Sequence, residues 1–113
     1  MLTKRKLGKG KVRVTFTLSP LEGVTQISLV GDFNNWSMDE HPMSKSKDGN
    51  WTAAVTLEAG REYQFRYLAD GQVWHNDWEA DGYRPNQYGS DNSVVSLEEA
   101  ALPAPKRASR KKA

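Results

Sequence analysis

Five large aromatic side chains fall in or beside segments rich in Asn, Asp, Gln and Gly: Trp36, Trp74, Trp78, Tyr83 and Tyr88. In "VGDFNNWS", residues 30–37, an apolar run ends in glycine, turn-prone residues follow, and a tryptophan stands on what reads as a loop. Asp and Asn favour turns because their side chains bond nearby backbone groups, and a large ring is costly to leave in water. Flat rings flanked by amides and carboxylates have the chemistry of a sugar-binding surface. The C–H face of a pyranose stacks on indole, and its hydroxyl rim bonds to amides and carboxylates. Base stacking on single-stranded nucleic acid is a rival use of the same rings. The plainer alternative for Trp36 is a ring folded back over the end of the core.

Other chemistry is poorly supplied. His41 and His75 are the only imidazoles, and His41 sits before Pro42 in a turn. Asp77, Glu79 and Asp81 precede Gly82 with the spacing that opens a calcium-binding loop, but the twelfth position, which needs a bidentate Glu, holds Tyr88. "GKGK" at residues 8–11 lacks the glycine spacing and the Ser/Thr of a phosphate-binding loop. We therefore expect no enzyme activity, no metal and no cofactor.

The chain has 113 residues, of which 37% are hydrophobic, enough for one domain with a modest core. It has no cysteine, so neither a disulfide framework nor a thiolate metal site. No apolar stretch reaches the length of a membrane helix and no signal-peptide pattern is seen, so the expected location is cytoplasmic, with no membrane partner. The net charge of +2 hides an asymmetry. Lys4, Arg5, Lys6, Lys9, Lys11 and Arg13 open the chain and Lys106, Arg107, Arg110, Lys111 and Lys112 close it, while all the acids lie between. An acidic middle argues against a nucleic-acid-binding fold. Nucleic acid is expected to bind only non-specifically, through the ends, if at all.

The elements that must hold the rings are strands. "KVRVTFTL", residues 11–18, alternates apolar and polar residues throughout. "TQISLVG" follows, then a weak strand in "HPMSKS", an Asp-Gly hairpin, and "WTAAVTL" with Trp51, Ala53, Val55 and Leu57 on one face. "YQFRYLA" sets Tyr63, Phe65 and Tyr67 against Gln64, Arg66 and Leu68. "VWHND", a long polar loop over residues 78–91, and the closing strand "NSVVSL" complete the pattern. "LEEAAL" could form one helical turn. Seven to eight short strands predict an all-β, immunoglobulin-like antiparallel β-sandwich, whose core includes Val14, Phe16, Ile27, Leu29, Trp51, Val55, Phe65 and Tyr67. Phe33 is expected to plug the sandwich edge. The expected organisation is a basic flexible arm over residues 1–10, the sandwich over residues 11–98 and a basic, disordered tail over residues 99–113.

"VGDFNNW", "GNWTAAVTLEAGREYQFRYLADGQVWHND" and "YGSDNSVV" together resemble the family 48 carbohydrate-binding module. This is the isoamylase N-terminal early set domain, found also as the glycogen-binding domain of the AMP-activated protein kinase β subunit. The resemblance covers residues 12–97. It implies the same fold and non-catalytic binding of α-1,4-linked glucans such as glycogen, starch and maltooligosaccharides. It implies Trp36 as one sugar platform and Arg66, in place of the usual Lys, as a partner for sugar hydroxyls. The second platform falls on Val73 when counted from Asp70-Gly71, or on Trp74 when counted back from Asp77; we favour Trp74. Tyr88, Ser90 and Asn92 take the positions of a bulky apolar residue, a hydroxyl residue and an Asn. A glycogen-metabolising enzyme is the implied partner. The alternative is a protein-interaction or polyanion-tethering domain that acts through its basic ends, with a decayed sugar site.

Overall fold

The computed structural model describes residues 1–98. The expected tail and the "LEEAAL" turn beyond its first two residues lie outside them. Nine strands follow one another: β1 (Leu2–Gly8), β2 (Lys11–Leu18), β3 (Ile27–Gly31), β4 (Ser44–Lys45), β5 (Trp51–Glu58), β6 (Glu62–Ala69), β7 (Val73–His75), β8 (Gly82–Pro85) and β9 (Asp91–Ser96). They form two antiparallel sheets, ordered β1-β2-β5-β4 and β3-β6-β9-β8, with β7 also paired to β6. No α-helix is present among the described residues, and none of their helices is long and apolar enough to cross a membrane.

Alternation places the core. Val12, Val14, Phe16 and Leu18 of β2 face Tyr63, Phe65, Tyr67 and Ala69 of β6 across the sandwich, with Trp51, Leu57, Val95 and Leu97. Phe16 and Phe65 meet edge to face at 5.0 Å, and Phe33 packs on Phe16 at 5.6 Å, so Phe33 closes the sandwich as expected. Of the expected core residues only Val55 is incompletely buried; it packs against the cluster from its place opposite Val14.

Two expectations need correction. Residues 1–10 are not a flexible arm: β1 pairs with β2 from Leu2↔Phe16 to Gly8↔Lys11. Charge hid the strand. Lys4 and Lys6 take the inward-alternating positions, but β1 is an edge, and a long stem can carry its ammonium past the sheet. Lys4 donates to the Ser96 carbonyl at 3.0 Å and pairs with Asp81 at 2.7 Å, bridging the two sheets. Gly8 and Gly10, with φ of +100° and +74°, let the chain turn back into β2. The second correction lies in the long loop over residues 78–91, which contains β8, an edge strand too exposed to show alternation. In keeping with its turn-prone residues, the segment between β3 and Trp36 forms a 3-10 turn, Asp32–Asn34.

Candidate functional site

The turn after β3 is built around one glycine and one asparagine. A Cβ on Gly31 would lie 2.6 Å from the Gln64 carbonyl oxygen and 2.8 Å from the Phe65 Cβ, so only glycine lets the turn approach β6 this closely. Asn34 is buried and uses its whole amide. Its Oδ1 accepts from the Gly31 N–H at 3.1 Å and the Ser37 N–H at 3.2 Å. Its Nδ2 donates to the Leu29 carbonyl at 3.0 Å, which leaves the second hydrogen for His41 Nδ1 at 2.8 Å. His41 is thereby given a local role that its sequence position did not reveal.

The chain then enters the left-handed region twice in succession, with φ of 57° at Asn35 and at Trp36. Such a backbone is unusual for a bulky residue and persists only when its surroundings impose it. Asp32 is one such restraint. Its Oδ1 accepts the Trp36 indole N–H at 2.9 Å and its Oδ2 accepts the Gln64 N–H at 2.7 Å, tying the ring to β6. Trp36 is half-buried, neither free in solvent nor folded into the core.

Register decides which of Trp74 and Val73 shares a face with Arg66. Trp74 pairs with Leu68, so it shares the outer face of β6 with Gln64 and Arg66, while Val73 pairs with Ala69 and belongs to the other face. The β6–β7 hairpin is fastened by Asp70, whose carboxylate accepts from the Thr25 hydroxyl at 2.8 Å and from the Thr25 and Gln26 N–H groups at 3.0 Å. The Thr25 bonds, hydroxyl then backbone, followed by that from Gln26, hold the Asp70 carboxyl below its ordinary pKa of 3.8. The Arg66 guanidinium lies 5.9 Å from the Trp74 ring centre, within cation–π range. Its Nε is buried with no partner among the described residues.

Trp36, Arg66, Trp74, Tyr88, Ser90 and Asn92 all line one groove of about 690 Å³ on the outer face of β6, β7 and β9. Sequence reasoning missed Asp32, Met38, Asn86 and Gln87 as lining residues. Gln64, which alternation had already set beside Arg66, lines it too. The neighbours Asn86, Asn92 and Gln64 form an amide chain across the groove. Asn86 Nδ2 donates to Asn92 Oδ1 at 3.1 Å, and Asn92 Nδ2 donates to Gln64 Oε1 at 3.0 Å. Asn86 Oδ1 also accepts the N–H groups of Tyr88 and Ser90, shaping the turn that lifts Tyr88, 82% exposed, at the rim. The groove thus has indole faces, amides, one carboxylate and one guanidinium.

The other two loop aromatics go elsewhere. Tyr83 donates its hydroxyl to the Asp77 carbonyl, and Trp78 stands 89% exposed outside the groove. Asp77 is a buried structural group: it accepts from the Tyr67 hydroxyl at 2.7 Å and the Glu79 N–H at 2.8 Å. Burial, and then the Asp77 charge, push the Tyr67 phenol far above its usual range. No group of three or more His, Cys, Asp or Glu could hold a metal ion among the described residues.

Comparison with known proteins agrees with this architecture. The chain is 38% identical over 72 residues to a 1,4-alpha-glucan branching enzyme from Photobacterium profundum, a match covering 61% of the chain and 10% of that protein. It is 33% identical over 75 residues to the 5'-AMP-activated protein kinase subunit beta-1 of Sus scrofa, covering 66% of the chain and 57% of the relative. The chain therefore spans from a tenth to just over half the length of these relatives. The enterobactin esterase from Shigella flexneri superposes with a TM-score of 0.70 over 91% of this chain and 33% of its own, at 10% identity, a likeness of fold alone. Residues 21–84 match the model of carbohydrate-binding module 48, the isoamylase N-terminal domain, and the chain belongs to that family.

Proposed function

We propose that the groove binds an α-1,4-linked glucan, such as glycogen, starch or a maltooligosaccharide, without turning it over. The observation that carries the reading is the convergence of Trp36, Trp74 and Arg66 with Ser90 and Asn92 on one concave surface, although they come from distant parts of the sequence. Trp36 and Trp74 offer faces for sugar C–H groups, and the Asn86–Asn92–Gln64 amides with Arg66 meet the hydroxyl rim. Tyr88 supplies a further ring at the rim, where an aliphatic residue would supply none.

Each stacking contact buries on the order of 60 Å² of apolar surface and contributes about 1–2 kcal/mol. Two platforms with a few solvent-exchanged hydrogen bonds give binding of roughly micromolar to millimolar strength. The similarity to a glucan branching enzyme supports a glycogen-metabolising enzyme as partner. Glycogen retardation in native gels tests the reading: Trp36→Ala and Trp74→Ala each lose about tenfold or more in affinity while their thermal melts stay near that of the parent. Parent-like retardation by both variants would overturn it. Pure protein is expected to release no sugar from amylose.

A further inference from the structure

The ordering of β1 creates a second surface, on the outer face of the other sheet. Arg5 stands directly opposite Arg13, which stands opposite Thr56. The next row is Thr3, Thr15 and Ala54. Like charges placed directly across a strand pair are destabilising. Arg5 and Arg13 are both exposed, and neither has a carboxylate partner among the described residues. Lys9 extends the positive field from the hairpin turn, and Lys11 adds to it from β2, offset only by Glu58 at 3.4 Å.

We propose that this face binds the phosphate backbone of duplex nucleic acid, without reading sequence. An unneutralised arginine pair flanked by threonine hydroxyls matches phosphate oxygens, which take forked guanidinium bonds and accept from hydroxyls. The Arg and Thr rows carry no aromatic ring, so they offer no platform for the bases of a single strand. The rows themselves carry no large apolar side chain, and Leu7, exposed at the bulge beyond Arg5, is a single aliphatic side chain among cations rather than an apolar patch that could enter a bilayer. The surface lies on the opposite side of the sandwich from the groove and owes nothing to the glucan reading.

The test uses the full chain and a short mixed-sequence DNA duplex, with affinity measured over a range of salt. Each phosphate contact contributes about 0.9 to the slope of log affinity against log salt. Arg5→Gln/Arg13→Gln should make that slope shallower by about 2, with the parent's melt and glycogen retardation retained. The charge-keeping Arg5→Lys/Arg13→Lys should keep the parent's slope, and a duplex of different sequence should bind equally. The basic residues beyond residue 98 are the same in every variant, so the difference belongs to the face. The proposal is overturned if the Gln variant keeps the parent's slope, if the parent does not bind duplex, or if phosphatidylserine vesicles but not duplex depend on Arg5 and Arg13.

Discussion

The outer faces of the two sheets come from the same fold and the same alternation, yet they carry opposite chemistry. On the β6 side the face is concave, because the Asp32–Trp36 turn, the β6–β7 hairpin and the Asn86–Ser90 turn rise around it. Indoles and amides line it. On the β2 side the Arg and Thr rows run across three paired strands. The lesson is that strands supply two equivalent platforms and loops decide which of them becomes a pocket. The same division separates two tryptophans. Trp51 lies within β5, 4% exposed, under the cation of Lys45 at 5.7 Å from its ring. Trp36 lies on the turn, held by Asp32.

The comparison is broken most visibly at the core ring. Trp51→Ala should cost about 3–5 kcal/mol of stability, read as a large drop in melting temperature, because the surroundings of a buried ring collapse only partly. Trp36→Ala should leave the melt nearly unchanged, so similar losses for the two variants would erase the distinction between core and groove. Gly31→Ala is expected next. The added Cβ meets backbone at 2.6 Å, an overpacking of about 1–3 kcal/mol, and it should weaken glycogen binding too by moving the Trp36 turn. Parent-like melts for this variant would mean that the turn and β6 separate easily.

Smaller effects sharpen the picture. Arg66→Ala should cost less affinity than either groove Trp→Ala change, since a rim hydrogen bond exchanges with water. The acid dependence of the β6–β7 hairpin is smaller still. A carboxyl whose pKa is lowered by folding adds stability above its unfolded pKa, and that stability is lost as pH falls through the folded value. Asp70 should therefore support the hairpin above its unfolded value of 3.8 and release it progressively in more acidic solution. Asp70→Asn should flatten this dependence in melts taken across the acid range. An unchanged acid profile would show that the Thr25 and Gln26 contacts are not fastening the hairpin.

Strand identity was legible wherever one face is buried. The alternation of β2 and β6 and the continuous apolar end of β3 announced the core, because burial on one side of a pleat forces a period of two. It was illegible at two terminal strands, β1 and β8. Both bury little, so charge and polarity mask their pairing, and a basic run that reads as a solvated arm is a strand. The groove was half legible. Trp36, Arg66, Trp74, Tyr88, Ser90 and Asn92 stood out through ring chemistry and family resemblance. Asp32, Asn86 and Gln87 looked like ordinary turn residues, and their role depends on what lies across from them.

The sequence by itself determined the antiparallel sandwich and the core aromatics, since these follow from periodicity, while residue chemistry singled out the loop rings and the family resemblance pointed to Arg66, Ser90 and Asn92. Only the tertiary structure decided between Trp74 and Val73, because a shift of one residue moves a strand side chain to the opposite face and only the Leu68↔Trp74 pairing sets that register. It alone decided that the first residues complete a sheet, because an edge strand is defined by the partner it finds. It alone set Trp36 half-buried against the groove, because the Gly31 approach to β6 and the Asp32 bridge join residues about thirty positions apart.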